Sequence, residues 1–584
     1  MPTLDWIGKD KVINHHREVP FRILERQYSY DEKGEHEEDN QSGNMIIHGD
    51  NLEALKALLP KYEGKITCIY IDPPYNTGNE NWIYNDNVND PKMKKWLGQI
   101  VGKEGEDLSR HDKWLCMMYP RLRLLQKLLS DDGAIFISID DNELYNLKAV
   151  CDEIFGINCF VSNTSWQRTY SMRNDVKGIA AEVEHILVYG KKPLWQPNKL
   201  ERTAQMDAKY KNPDNDPRGA WRNIVASAPD SIAHQGMVYA IQNPLTGEYS
   251  YPPQGRHWSL GQDQMLEAMN QWCEYQLVDL KDYKERASVC NVSVEAVKKD
   301  VLAIVLKDSL EAAHDKAAAK YKHGTLPEFF FSKKGYGTLS RKAYIQEVGG
   351  RPVTNFWSFE ETGHTDEASR LLKAIFKGTA VFDTPKPPRL IERILHIAGD
   401  KNAIIIDSFA GSGTTAHAVL NRNKADGGNR KFILVEMADY ADNITAERVK
   451  RVIDGYGQEK QAIEGTGGNF SYYELGEPLF KGENLNEYIG IDHIREYIWY
   501  METRQNYVFA VGKNSYYLGV NKGTAYYFYY QQNEVCTLNY VFLSTIREKA
   551  DEYVIYADKC VLSEEELAAH NIVFKKIPRD ISRL

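Results

Sequence analysis

The sequence predicts an α/β protein built on a doubly wound open sheet, with a large insertion and a smaller C-terminal α/β segment. Three observations predict it. Short apolar, β-branched runs alternate with stretches of helical periodicity, the pattern of strand–helix–strand units and a parallel sheet. Two of those runs lead into stretches suited to a ligand, Ile71-Asp72-Pro73-Pro74-Tyr75-Asn76-Thr77-Gly78 and Ser408-Phe409-Ala410-Gly411-Ser412-Gly413-Thr414-Thr415. Open α/β sheets bind ligands at the carboxyl ends of their strands. From about residue 191 to 355 the rhythm breaks, and that segment reads as an insertion.

The 584 residues suggest three or four domains. Hydrophobic content of 42% and charged content of 26% fit a globular chain with a sizeable core. A net charge of −10 does not advertise a nucleic-acid binder, but it leaves room for a local basic cleft. Eight cysteines without a Cys-x-x-Cys pair indicate neither a disulfide framework nor a zinc site. No cationic, apolar signal segment opens the chain and no 18-residue apolar run interrupts it, so a cytoplasmic protein with no membrane span is expected.

In chain order, residues 1–44 read as a leader. Trp6, Ile7, Val19 and Phe21 can pack on the core, and the acidic stretch from Asp31 to Asn44 reads as a surface loop. Met45 to Asp50 is a short strand and turn, and Asn51 to Leu59 a helix whose N-cap Asp50 can supply. Lys65 to Tyr70 is a buried strand running into the Asp-Pro-Pro-Tyr corner. Asn76 to Asp90, with Trp82 and Tyr84, is a candidate lid. A helix over Trp114 to Leu129, a turn at Asp131-Asp132-Gly133, a strand over Ala134 to Ile139, a helix over Asn142 to Phe155 and a strand over His185 to Tyr189 follow. The insertion interleaves basic residues, Arg218 and Arg256 the first to test among them, with aromatic ones, which suits phosphates and bases; an ordinary inserted domain is the bland alternative. Val294 to Lys320 reads as largely helical. Phe382-Asp383-Thr384-Pro385-Lys386-Pro387-Pro388 precedes a helix to Ala398. Ala403 to Asp407 and Lys431 to Glu436 are strands on either side of the glycine turn and its helix. Residues 476–584 are dense in tyrosine, with a strand near Tyr526 to Tyr530 and a short helix over Ser563 to His570.

The corner has a chemical reading. Proline fixes φ and lacks an N–H, so the carbonyls of Asp72 and Pro73 are rigid acceptors. The Asp72 carboxylate and the Pro73 carbonyl can each accept one N–H of an exocyclic amine on a flat heterocycle, and Tyr75 can stack on the ring. Such an amine is a poor nucleophile. Two fixed acceptors pull it toward a tetrahedral geometry and localise its lone pair. The bland alternative is a proline-rich strand-to-turn corner. In the second stretch, glycines let the backbone approach a ligand, and Glu436, 23 positions after Gly413, can bond a ribose hydroxyl pair. The turn lacks the lysine of a phosphate-binding loop and the third glycine of the dinucleotide pattern.

Asp72-Pro73-Pro74-Tyr75 resembles the catalytic motif of the amino-methylating DNA methyltransferases. The glycine turn, with Phe409 against the cofactor, resembles that family's S-adenosylmethionine loop, and Asp383-Thr384-Pro385-Lys386-Pro387 its additional cofactor motif. The catalytic corner comes first and the glycine turn about 330 residues later, which resembles the circularly permuted beta class. Trp6-Ile7-Gly8-Lys9-Asp10-Lys11, Tyr84-Asn85-Asp86 and Phe382 to Pro387 look like modification subunits of Type III restriction-modification systems. The resemblance implies a circularly permuted Rossmann-like methyltransferase sheet. Its parts would be a leader (1–44), a catalytic half (45–190), a target-recognition domain (191–355), a cofactor half (356–475) and a C-terminal domain for dimerisation or partner docking (476–584). It implies Asp72, Pro73, Pro74 and Tyr75 as catalytic residues. It implies Asp50, Asp383, Thr384, Pro385, Lys386, Asp407, Phe409, Ala410, Gly411, Gly413 and Glu436 around S-adenosylmethionine. No metal is needed, since the sulfonium already activates the methyl group. The implied substrate is adenine N6 in double-stranded DNA, reached by flipping the base, and the implied partners are a second copy and a helicase-nuclease restriction subunit. Cytosine N4, an RNA or protein amine, and a non-catalytic DNA-reading subunit are the alternatives.

Overall fold

The computed structural model describes residues 3–77, 95, 110–171, 178–457, 459, 462–508 and 515–579. Gly78, Trp82 and Tyr84 to Asp86, and most of the candidate lid with them, lie outside those residues. The described chain forms two compact units, one of residues 1–198 and 353–584 and one of 199–352.

The first unit is organised by an eleven-stranded sheet. Its strands are β1 (Arg22–Asp31), β2 (Gly34–His36), β3 (Met45–His48), β4 (Ile66–Ile71), β5 (Leu129–Ile139), β6 (Phe160–Gln167), β7 (Val183–Gly190), β8 (Phe356–Trp357), β9 (Ile404–Asp407), β10 (Lys431–Glu436) and β11 (Asn469–Pro478). They lie in the order β8-β6-β7-β5-β4-β9-β10-β3-β11-β1-β2. The central run from β5 to β11 is parallel throughout. Within it β3, β4, β9, β10 and the second half of β5 are the near-continuous apolar runs expected of a sheet covered on both faces. Ile69, Ile71, Ile135, Ile137, Ile406 and Ile433 are fully buried in its core.

Three features depart from the all-parallel expectation. β7 runs antiparallel to both β5 and β6. β6 itself, polar and only partly buried along much of its length, carries too weak an alternation to be read as a strand. The leader is not peripheral, because β1 pairs antiparallel with β11 and extends the sheet. Tyr28 stacks on Tyr472 at 5.1 Å and Tyr30 on Phe470 at 5.8 Å, so the aromatic edge of β1 closes one end of the sheet. Part of the acidic stretch after it forms the half-buried hairpin strand β2. Trp6 and Val19 are buried, whereas Ile7 is exposed.

Helices α1 (Asn51–Tyr62), α2 (Arg110–Leu128), α3 (Leu144–Phe155), α4 (Pro388–Ala398) and α5 (Thr414–Asp426) connect these strands. Each begins where its sequence allows. Asp50 caps α1 by accepting from the Leu52 amide at 2.8 Å. Proline opens α4, where no intrahelical N–H is lost. Among the described residues no helix is long and apolar enough to cross a membrane. The C-terminal segment carries a four-stranded sheet of Tyr517–Asn521, Thr524–Phe528, Glu552–Ala557 and Ile572–Lys576. Its Glu564–Ala569 helix starts in a capping box from Ser563 and Glu566.

The second unit, 199–352, has its own aromatic core, including Trp221, Trp258, Trp272 and Phe329 to Phe331. Within the span read as helical, Ala303–Leu306 is instead a strand paired on both sides. Its β-branched Ile304, fully buried, and Val305, half-buried, favour that state over helix. Lys342 is fully buried and donates to Asp214 and Asp216, each at 2.5 Å. Burial works to raise both carboxyls, but Lys342 and neighbouring donors leave them below the usual carboxylate range. Lys342→Met should strand two buried acids and destabilise this unit by about 3–5 kcal/mol at neutral pH. Acids with depressed values stabilise above their ordinary titration and lose that contribution as pH falls. The gap between variant and wild type should therefore narrow below about pH 4. Hydrogen exchange of peptides from 199–352, measured across pH, checks both the loss and its pH dependence.

Candidate functional site

β4 and β9 are adjacent, with Ile405 opposite Cys68 and Ile406 opposite Ile69. The corner after β4 and the glycine turn after β9 therefore leave the same edge of the sheet side by side. β7 runs the other way, so its first residues start at that edge.

At the corner, Asp72 keeps 26% of its side chain accessible. Lys386 Nζ donates to Asp72 Oδ1 at 2.8 Å and Oδ2 at 2.7 Å. The same ammonium lies 5.0 Å from the Tyr75 ring centroid and 3.6 Å from Glu184 Oε2. The Tyr75 hydroxyl lies 2.9 Å from Asp72 Oδ1 and 3.1 Å from Glu184 Oε2, and its one proton serves one of them at a time. Arg168 donates to Glu184 Oε1 at 2.7 Å. Two acids and two bases thus share one half-closed site. Burial raises Asp72 above its ordinary value against the pull of Lys386. Glu184 feels the same burial, but Lys386 and Arg168 outweigh it and hold it below its ordinary value. Lys386 is raised, since the two carboxylates overcome its burial.

Trp114 of α2 donates to the Pro74 carbonyl at 2.7 Å, fixing the corner while engaging Pro74 rather than Pro73. Asn76 turns the chain with φ 61°, a left-handed conformation costly for most residues. Its amide donates to the Arg110 carbonyl at 3.2 Å and to Glu143 Oε1, which is fully buried and also bonds His111 at 2.7 Å.

In the glycine turn, Gly411 has φ 51° and Gly413 φ 79°. A Cβ at Gly411 would stand 3.1 Å from the Phe382 ring, and one at Gly413 would stand 3.0 Å from the Thr445 carbonyl. Glu436 is buried, and its two oxygens accept from the amides of Gly411 at 2.8 Å and Ala438 at 2.9 Å. Burial raises Glu436 and pushes Asp407 up to about 7. Asp407 accepts from Thr415 Oγ1 at 2.5 Å and from the Phe409 amide at 3.1 Å. Phe409 is partly buried and Ala410 buried. Asn51, beside the capping Asp50, donates to the Ser408 carbonyl at 3.0 Å and so ties α1 to the turn.

The sequence-derived residues fall into three groups. Asp72, Tyr75 and Lys386 meet directly. Asp407, Phe409, Ala410, Gly411, Gly413 and Glu436 build the neighbouring turn, linked to the first group by Thr414 Oγ1, which donates to the Lys386 carbonyl at 3.3 Å. Asp383 and Thr384 are exposed and Pro385 is buried. Asp50 is engaged as an N-cap and by Arg121 at 3.3 Å. In the other unit, Arg218 pairs with Glu328 at 2.7 Å and with Glu347, and Arg256 donates to Ser227 Oγ at 2.9 Å and to its carbonyl. Sequence reasoning missed Glu184, Arg168, Trp114 and Glu143. The one signal for Glu184 is an acid at the first residues of a strand, informative only once that strand is known to run antiparallel.

Comparison with known proteins agrees with this geometry. A family model described as DNA methylase, of the N6/N4 type, matches residues 66–503. The Type III restriction-modification enzyme StyLTI Mod subunit of Salmonella typhimurium is 32% identical over 479 residues, 77% of this chain and 62% of that protein. The EcoP15I Mod subunit of Escherichia coli is 29% identical over 475 residues, 78% of this chain and 66% of that protein. The Type II methyltransferase M.KpnI of Klebsiella pneumoniae is 32% identical over 404 residues, 68% of this chain and 81% of that protein. The chain spans slightly less than two thirds of the length of those two Mod subunits. A match that runs from β4 through the insertion and the glycine turn covers three quarters of the sequence, and the chain belongs to the N6/N4 DNA methylase family.

Proposed function

We propose that the chain is a site-specific DNA adenine-N6 methyltransferase that uses S-adenosylmethionine and flips its target base, acting as the modification subunit of a restriction-modification system. The observation that carries this reading is the Asp72-Pro73-Pro74-Tyr75 corner lying beside the glycine turn that follows the next strand. The same family resemblance supports double-stranded DNA as substrate, and a helicase-nuclease subunit and a second copy of the chain as partners. It also supports a cytoplasmic location. Aspartate at the first motif position favours adenine over cytosine N4 as a family tendency.

The glycine turn fits the cofactor in its backbone form: Gly411 and Gly413 hold positive φ, and a Cβ at either would press on the Phe382 ring or the Thr445 carbonyl. When bound, S-adenosylmethionine supplies an electrophilic methyl group on a sulfonium. Glu436 holds the turn through the Gly411 amide, so its first role is to shape the cradle. A flipped adenine presents its amine to the Asp72 carboxylate and the Pro73 carbonyl, with the ring against Tyr75. As the nitrogen becomes tetrahedral its N–H groups grow more acidic and the bonds to both acceptors strengthen. Such interactions act on the rate more than on the ground state. Asp72, made more basic by burial, can accept the proton that the methylated nitrogen releases. The unit 199–352 is the proposed reader of sequence. Arg218 and Arg256 would contact DNA only by leaving their present partners, so exchanging the whole unit is the better probe of specificity.

Glu436→Ala and Gly413→Ala should each weaken S-adenosylmethionine binding in calorimetric titration while preserving the fold by circular dichroism. Unchanged affinity in both would remove the cofactor from this turn. Asp72→Ala should lower single-turnover transfer of labelled methyl to plasmid DNA by more than about 10²–10³, the cost of losing one preorganised partner. It should spare most DNA affinity, since phosphate contacts supply much of it. Tyr75→Phe keeps the stacking ring but removes a donor shared by Asp72 and Glu184, so a loss of about fivefold to tenfold is expected, roughly one hydrogen bond. Near-normal rates for Asp72→Ala would make the corner structural.

A further inference from the structure

The Lys386 ammonium stands in an unusual place. It touches both oxygens of Asp72 and lies over the face of Tyr75, within the roughly 6 Å of a cation–π contact. The proposed function assigns those same two groups to the target amine. A nitrogen with three N–H bonds therefore already fills the position that the adenine amine would take.

Two consequences follow from charge alone. The amine gains positive character as it is methylated, and a lysine cation fixed on Asp72 would oppose that charge. Asp72 also has limited room, since its acceptor sites already face Lys386 and the Tyr75 hydroxyl. The ammonium must leave when the base arrives, and it cannot leave for an apolar wall without a large desolvation cost. Glu184 offers a destination. It is buried, it lies 3.6 Å from the same ammonium, and Arg168 and the Tyr75 hydroxyl hold its carboxylate in place.

We propose that Lys386 is a built-in placeholder for the target amine, and that Glu184 is the positioning residue that receives its ammonium when the base enters. In the empty site the ion pair keeps Asp72 charged and solvated by a protein group. In the occupied site Lys386 shortens its 3.6 Å approach to Glu184 to a direct hydrogen bond and Asp72 turns to the amine. Arg168 keeps Glu184 ionised in both states. No covalent step is involved, and the exchange is a population shift set by the relative strength of the two ion pairs. The inference rests on the proposed methyl transfer.

The test is single-turnover transfer of labelled methyl to plasmid DNA at saturating S-adenosylmethionine, with calorimetric cofactor binding as the control for folding. Wild-type transfer comes first, and its absence would count against the proposed function rather than against this inference. Glu184→Gln removes the receiving charge, so Lys386 stays on Asp72. The rate should fall by about tenfold or more as the open fraction of sites shrinks. Glu184→Asp retains the charge and should recover part of that loss. The decisive variant is the double change Glu184→Gln with Lys386→Gln. With no ammonium to displace, it should run faster than Glu184→Gln alone, by roughly threefold or more. A merely structural role for Glu184 predicts the opposite, because a second change in the same cluster would slow the enzyme further. A Glu184→Gln enzyme at wild-type rate, a double variant no faster than the single one, or loss of cofactor binding in Glu184→Gln would each overturn the proposal.

Discussion

Everything at this site depends on the pairing of β4 with β9. Those two short strands bring together segments that lie more than three hundred positions apart, and they do so through a few parallel backbone bonds in a fully apolar stretch. Because both strands point the same way, both of their loops emerge at one edge. A rearranged chain order costs nothing at that edge, since sheet neighbours and not sequence neighbours decide which loops meet. The antiparallel β7 adds a third contribution, because its start rather than its end lies there. That reversal puts the buried Glu184 next to the corner that follows β4, two strands away in the sheet.

The electrostatics follow from this convergence. Burial alone would make two neighbouring carboxyls hard to ionise together. Lys386 and Arg168 restore balance unequally. Glu184 is flanked by both cations and stays below its ordinary value, while Asp72 faces one and is raised. Acids pushed apart in this way take different roles, one as fixed counter-charge and one as the group that changes partners. The glycine turn next door relies on a simpler device. Backbone at positive φ is held in place by Glu436 and by Thr445, which donates to the Gly411 carbonyl at 2.6 Å.

How much of this could be read from sequence depended on range. Asp72 to Tyr75 and Phe409 to Gly413 are continuous peptides whose geometry is largely local, so proline, glycine and a preceding apolar run made them legible. The capped start of α1 and the short helix over Ser563 to His570 were legible for the same reason. Lys386 was found as part of a motif but not as the partner of Asp72, because that contact joins residues 314 positions apart. Trp114 carried no local signal of its contact with the corner, and Glu184 only an acid at a strand start, informative once that strand is known to run antiparallel. β1 escaped notice because its pairing face is completed only when β11 returns beside it, and β6 because a half-buried polar strand shows little alternation. The insertion was visible as a break in rhythm, yet its Ala303–Leu306 strand was hidden inside a helix-rich window.

The central claim is that this corner methylates an adenine amine in DNA. Plasmid DNA incubated with purified protein and S-adenosylmethionine, then read by modification-sensitive sequencing, tests it most directly. The account predicts N6-methyladenine at one recurring short sequence, absent when Asp72→Ala protein is used. N4-methylcytosine instead, or unmodified DNA from protein that binds the cofactor, would contradict it.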